Sequence, residues 1–154
     1  MGKYYLAYGS NLDTDAMAVR CPNAKAVGTA EIDGYELLFK GSDDSAFLTI
    51  EQKAGSTVPV AVWQVDADDE MRLDHYEGYP HLYYKDEMEI TYTEFDGETE
   101  HTVTAFVYIM HEQYKRALPS QTYLRTCLKG YEEFGFDAQP FYEAIMKSVR
   151  KVEE

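Results

Sequence analysis

The stretch Tyr4-Tyr5-Leu6-Ala7-Tyr8-Gly9-Ser10-Asn11-Leu12 decides how the rest of the chain reads. Tyr4 to Tyr8 is short and nearly all apolar, the pattern of a buried strand, and Gly9-Ser10-Asn11 turns it into a loop. Asp13 to Arg20 then carries Ala16, Met17 and Val19 in a helix-like pattern, and Pro22 stops it. A glycine between strand and helix lets the backbone turn sharply. The N–H groups that open the following turn can hold a carboxylate or a developing oxyanion. Strand–Gly–Ser–Asn–helix is equally an ordinary turn with a capping residue, and on this stretch alone both readings stand.

Outward from this loop, strand signals accumulate. Tyr35, Leu37 and Phe39 alternate, as do Ala46, Leu48 and Ile50, and Val58, Val60 and Val62. Asp33-Gly34 and Asp96-Gly97 both carry the dipeptide favoured in tight hairpins. The second separates strands predicted over Tyr83 to Glu94 and Glu100 to Met110. On the first of these, Tyr84, Met88, Ile90 and Tyr92 share one face, opposite Glu87, Glu89 and Thr91. Asp66 to Glu77 reads as a helix with an Asp cap, acids in its first turn, and Gly78 and Pro80 as stop signals. Ser120 caps another helix, on which Tyr123, Leu124, Cys127, Leu128 and Tyr131 recur at helical spacing. A last helix runs from about Asp137 to Arg150, with Phe141, Ile145, Met146 and Val149 as its apolar positions. No repeat, linker or low-complexity run divides the chain, so residues 1–154 read as one domain. Six or seven strands with interspersed helices predict an α+β fold, a closed or strongly bent sheet with helices packed around it.

Composition narrows the function. Of 154 residues, 14 are Lys or Arg and 28 are Asp or Glu, for a net charge of −14. Hydrophobic residues make up 45%, which is globular composition with enough apolar material for a full core. So acidic a chain is a poor partner for nucleic acid, whose phosphates call for clustered Lys and Arg, or for an anionic membrane. Cys21 and Cys127 lie 106 residues apart with no CxxC, neither a disulfide framework nor a zinc signature, and read as thiols in a reducing compartment. The run after Met1-Gly2 is too short for a signal peptide, Leu6 breaks the myristoylation pattern, and no apolar stretch reaches membrane-spanning length. A soluble cytoplasmic protein is the expectation.

A second stretch bears on chemistry: Leu73-Asp74-His75-Tyr76-Glu77-Gly78-Tyr79-Pro80. Glu77 is predicted in the last helical turn, just before a C′ glycine. The helix macrodipole is negative there and disfavours a carboxylate. With Tyr76, Tyr79, Tyr83 and Tyr84 nearby, that placement pushes its pKa upward and suits a general base. The plain alternative is that Glu77 is one of 28 acids and points into water.

Taken together, Tyr4-Leu6-Ala7-Tyr8-Gly9-Ser10-Asn11-Leu12, the Leu73-Asp74-x-x-Glu77-Gly78 block and Pro119-Ser120-x-x-Tyr123 occur in a familiar order and separation. The chain resembles the gamma-glutamylcyclotransferase family, in its branch with a Tyr-Gly-Ser-Asn loop, over residues from about 4 to 135. The resemblance implies a small mixed β-barrel with peripheral helices. It implies that Glu77 is the general acid/base, and that the loop around Tyr8, through Gly9, Ser10, Asn11 and Leu12, offers backbone N–H groups to the substrate. It further implies pocket tyrosines at Tyr84, seven residues after Glu77, and at Tyr108 and Tyr123. A one-residue slip would exchange Tyr84 for Tyr83, and each tyrosine taken singly is as readily a core aromatic.

The implied reaction is conversion of a γ-glutamyl amide to 5-oxoproline and a free amine, on a small-molecule substrate. A non-catalytic binding module of the same fold and a hydrolase of a similar small amide are the competing readings. His75, His81, His101 and His111 show no metal-ligand spacing, Ser10 is not in a GxSxG elbow, and no Gly-rich phosphate loop is present. Asp43-Asp44 and Asp66 to Glu70 read as a solvated loop and a helix cap. No metal or cofactor is expected.

Overall fold

A computed structural model describes residues 2–42 and 44–153; Met1 and Asp43, which entered the sequence reading, lie outside the described residues. Six strands form one sheet: β1 (Lys3–Ala7), β2 (Lys25–Ser42), β3 (Ser45–Val65), β4 (Tyr83–Thr93), β5 (Glu100–Met110) and β6 (Lys115–Arg116). Their order is β3-β1-β5-β4-β2-β6, and a further β3–β2 pairing closes the first five into a barrel, leaving β6 as an extra strand on β2. β1 runs parallel to β5 and the other pairings are antiparallel, so the barrel is mixed. Four helices pack around it: α1 (Thr14–Arg20), α2 (Ala67–Glu77), α3 (Gln121–Phe134) and α4 (Gln139–Glu153). The α+β barrel with peripheral helices is as expected.

The sheet is simpler than the sequence pattern predicts. The three short alternating runs belong to only two long strands, β2 and β3, paired from Lys25↔Gln64 to Ser42↔Ser45. Asp33-Gly34 makes no hairpin. Gly34, at φ +78, sits where the β2–β3 register slips between Asp33 and Tyr35, so the same left-handed glycine serves a bulge. Asp96-Gly97 does connect β4 to β5, with Asp96 Oδ1 accepting from the Glu98 and Thr99 N–H groups at 2.8 and 2.9 Å. Barrel closure depends on Gly28, at the other β2 irregularity: a Cβ there would lie 2.2 Å from the Thr93 carbonyl oxygen of β4.

The helix ends follow their caps. Asp13 accepts from Asp15 and Ala16, Asp66 from Asp69, and Ser120 from Tyr123, while Gly78 and Gly135 end α2 and α3 in left-handed conformations. The core gathers Leu6, Phe39, Leu48, Ile50, Val58, Val60, Val62 and Val107 from the strands with Leu73, Cys127, Tyr131 and Phe141 from the helices. Cys21 and Cys127 are both buried free thiols. Among the described residues, no helix is long and apolar enough to cross a membrane.

Candidate active site

The chain leaves β1 at Ala7, passes Tyr8 and Gly9, and enters a single 3-10 turn over Ser10–Leu12. Gly130 on α3 sets how closely that turn is held. A Cβ at residue 130 would fall 2.3 Å from Leu12 Cβ and 2.9 Å from the Asp13 nitrogen, so only glycine lets α3 lie directly on the turn. Lys129 beside it binds Asp13 and Asp15 at 3.0 and 2.7 Å.

A second set of bonds ties the turn to α2. Ser10 Oγ and Tyr76 Oη are 2.9 Å apart, and Asn11 Nδ2 donates to Tyr5 Oη at 2.8 Å. Arg20 donates to Asn11 Oδ1, and its guanidinium carbon lies 3.5 Å above the Tyr76 ring centre. The loop is thereby held between α2 and α3 rather than left as a solvated turn.

Beside this loop, a cavity of about 20 Å³ is lined by Glu77, the Tyr8-Gly9-Ser10-Asn11 stretch, Leu48 and the rings of Tyr5, Tyr83, Tyr108 and Tyr123. Glu77 is the last residue of α2, immediately before left-handed Gly78. It is half-buried, and loss of water around its carboxyl pushes its pKa up to about 8, against a smaller downward pull from the Arg20 charge. Helix-end position places the group, but desolvation is what raises it.

The tyrosine hydroxyls are largely spoken for by the protein. Tyr8 donates to the Tyr108 carbonyl at 2.6 Å, Tyr83 to the Leu48 carbonyl at 2.7 Å, and Tyr108 to Asp74 Oδ1 at 2.6 Å. Tyr123 accepts from the Leu48 N–H at 3.0 Å. Burial pushes all four phenols well above their ordinary range, with Asp74 adding to the effect at Tyr108. They stay neutral, and Glu77 is the pocket group poised to exchange protons near neutrality.

Seven of the nine residues singled out from the sequence thus converge here: Glu77, Tyr8, Gly9, Ser10, Asn11, Tyr108 and Tyr123. Two do not. Tyr84 follows Tyr83 in an extended strand, so alternation sends its ring to the other face, where Oη donates to Glu112 at 2.5 Å. Tyr83 takes the pocket position instead. Leu12 is fully buried beneath α3, and its N–H is already bonded to the Gly9 carbonyl at 3.0 Å, leaving it no hydrogen to offer a ligand. Tyr5, Leu48 and Arg20 were missed, and Tyr76, expected only as a neighbour of Glu77, also meets Ser10. Tyr5 carries the only readable signal, since Tyr4 and Tyr5 face opposite sides of β1 and only one can point into the pocket. Leu48 and Arg20 are brought in by pairing and packing with no local trace.

Among the described residues, one group of carboxylates is close enough to share an ion: Asp13, Asp15 and Glu133. The Lys129 ammonium already stands among them, 3.0, 2.7 and 3.8 Å from their oxygens.

Known proteins share the fold. Over 152 residues the chain is 28% identical to the Gamma-glutamylcyclotransferase of Homo sapiens and 29% identical to that of Mus musculus, covering 94% of this chain and 77% of each relative. A solved structure named Gamma-glutamyl cyclotransferase superposes with a TM-score of 0.77 at 26% identity, covering 94% of this chain and 86% of that one. The family described as "Gamma-glutamyl cyclotransferase, AIG2-like" matches residues 5–125, a span that contains every residue lining the cavity. The chain belongs to this family.

Proposed function

We propose that this protein is a gamma-glutamyl cyclotransferase that converts a γ-glutamyl amide or γ-glutamyl amino acid to 5-oxoproline and a free amine. The observation that carries the reading is the Glu77 carboxyl, with its pKa near 8, facing the Gly9–Asn11 turn across one small pocket. The α-carboxylate of the substrate is held by N–H groups at the start of the turn, which has no side-chain cap of its own. Glu77 takes a proton from the α-ammonium, and the freed amine attacks the γ-carbonyl carbon. The tetrahedral intermediate collapses, the carbon–nitrogen bond to the leaving group breaks, and Glu77 hands its proton to the departing nitrogen. The second proton that the attacking nitrogen sheds, on becoming a lactam N–H, follows the same route. The products are therefore 5-oxoproline, with an uncharged lactam ring and its carboxylate intact, and an ammonium ion.

One titrating group is enough, because ring closure within a bound substrate has a high effective molarity. The cavity, at about 20 Å³, holds roughly one water, so side chains give way when a glutamyl group binds.

The test is product analysis. Incubation with a panel of γ-glutamyl amines and dipeptides yields 5-oxoproline, and N-acetylation of the glutamyl amine abolishes turnover because the nucleophile is gone. Glutamate as the product, or cleavage of the acetylated substrate, would assign a hydrolase. No turnover of any panel member would favour the binding module.

A further inference from the structure

The barrel seam between β2 and β4 is barely closed. These two strands pair at a single position, Thr29↔Thr93. β2 is paired with β3 along one side, and past Thr29 its other side next meets a strand at Lys40, on β6. β4 is paired with β5 from Tyr83↔Met110 to Thr93↔Glu100 without a register shift. Residues 30–38 of β2 and 83–92 of β4 therefore present two strand edges to the same seam, with no ladder between them among the described residues.

The period of the β4–β5 ladder tells which groups are left over. At one end the His111 N–H donates to the Leu82 carbonyl at 3.1 Å, and at the other the Glu94 N–H donates to the Thr99 carbonyl at 2.8 Å. Bonded pairs recur every two residues in an antiparallel ladder, so the even-numbered residues of β4 bond β5. The odd-numbered ones turn their N–H and C=O groups to the seam, as Thr93 does in meeting Thr29. Lys85, Glu87, Glu89 and Thr91 thus offer backbone groups there, with the Glu87 N–H covered by Asp86 Oδ1 at 3.0 Å. A slot of about 530 Å³ follows this edge, lined by residues 86–91 on one side and by Glu31, Ile32, Asp33 and Tyr35 on the other. Ile32 and Ile90 are buried at its floor, while Glu31, Asp33, Asp86, Glu87 and Glu89 are all exposed. No Lys or Arg lines it among the described residues, and the Lys85 ammonium is turned away to Glu70 and Asp74.

We propose that the β4 edge is a docking surface for an extended, basic segment of another protein, which adds as a strand beside β4. A row of backbone donors and acceptors at strand spacing fits another extended chain rather than a helix. Side chains of the added strand alternate in direction, so apolar ones reach the isoleucine floor while basic ones meet the acidic rim. Charge decides the occupant. A second copy of this chain, at net −14, would bring the same acids against themselves, which is how charged edges keep identical chains apart. A segment rich in Lys and Arg gains the attraction that a second copy lacks. The slot shares no lining residue with the Glu77 pocket, so the proposal stands apart from the catalytic reading.

The experiment is fluorescence-anisotropy titration of the full chain with a labelled peptide of about nine residues, alternating Lys and Val. Saturable binding is expected, with amide hydrogen exchange at Glu89 and Thr91 slowed in the complex. The same peptide with every backbone nitrogen methylated keeps its charge but has no ladder donor, and binds at least about tenfold more weakly. Glu87→Lys combined with Glu89→Lys, both exposed, weakens the unmethylated peptide by about tenfold or more. Glu132→Lys combined with Glu143→Lys makes the same charge change on α3 and α4 and leaves binding within about twofold. Equal binding of the methylated peptide, or equal loss in the helix variant, shows charge attraction alone and overturns the proposal. Absence of saturable binding also overturns it and leaves the acids as guards of the edge. A dimer of the free chain that protects the same amides would place a second copy there, with the same consequence.

Discussion

The Arg20 guanidinium carbon lies 3.5 Å from the centre of the Tyr76 ring, while the same group donates to Asn11 Oδ1. One side chain thus links the end of α1, the Gly9–Asn11 turn and the last turn of α2, where Glu77 follows Tyr76 directly. Its positive charge also draws the Glu77 pKa down from where burial alone would put it. Arg20→Met removes that pull, so the Glu77 pKa rises above about 8 and the carboxylate form becomes scarcer at neutral pH. Each unit of rise lowers turnover at neutral pH by about tenfold. Arg20→Lys keeps the charge but loses the planar fork and stack; its pKa stays near the wild-type value while kcat/KM still falls. A carbon-13 NMR titration of Glu77, beside the pH profile of kcat/KM, separates the two effects. An unchanged titration in Arg20→Met would show that Arg20 does not act on Glu77.

Glu77→Gln keeps the size of the side chain and removes the proton acceptor. The rate falls by about 10² to 10⁴, the usual worth of a positioned general base. Stability moves the other way. Folding raises the Glu77 pKa, so the native state holds this proton more tightly than the unfolded chain does. The resulting stabilisation is full below about pH 4.5 and is lost as pH rises through about 8. Relative to wild type, Glu77→Gln therefore melts higher at pH 9, by about 1–3 kcal/mol once partial solvent access is allowed for, and the difference closes towards pH 4.5. In the wild type, kcat/KM rises with pH through an apparent value near 8. Paired melting and single-turnover measurements at pH 5 and pH 9 check both signs. Normal turnover by the variant would make Glu77 a bystander.

A Cβ at residue 9 would lie 3.2 Å from Tyr123 Oη and 3.5 Å from Leu48 Cβ, on the cavity wall. Gly9→Val puts a branched side chain there. It lowers stability by about 1–3 kcal/mol through overpacking and cuts activity by at least about 10²-fold, with the circular-dichroism spectrum retained. Ser10→Ala loses only the bond to Tyr76, costing about 0.5–1.5 kcal/mol, and keeps activity within about tenfold. A folded but inactive Ser10→Ala that traps an acyl-enzyme would replace this mechanism with covalent catalysis.

Tyr83→Phe leaves the Leu48 carbonyl without its 2.7 Å donor at the pocket wall, while Tyr84→Phe breaks only the bond to exposed Glu112. The first variant loses about 0.5–1.5 kcal/mol of stability, because the Leu48 carbonyl keeps only the longer 3.5 Å approach of the Tyr8 hydroxyl, and about tenfold in kcat/KM. The second stays within about twofold of wild type in activity. Steady-state kinetics on the pair is sufficient, and the reverse ranking would put Tyr84 at the substrate.

The sequence by itself determined the elements whose signals are local. Asp13, Asp66 and Ser120 mark helix starts because a cap acts on N–H groups two or three residues away, and Asp96-Gly97 marks a hairpin for the same short-range reason. The α+β class, the turn after Tyr8 and the helix-end position of Glu77 were legible in this way. Only the tertiary structure decided which strand runs were continuous, because Asp33-Gly34 suits a turn and a bulge equally and the β3 partner selects the bulge. It also decided between Tyr83 and Tyr84, since two adjacent tyrosines look alike in sequence and differ only in the barrel face each meets. The Glu77 pKa belongs to the same class. Desolvation is exerted by rings from β1, β4, β5 and α3 and countered by Arg20 from α1, and no one segment contains them.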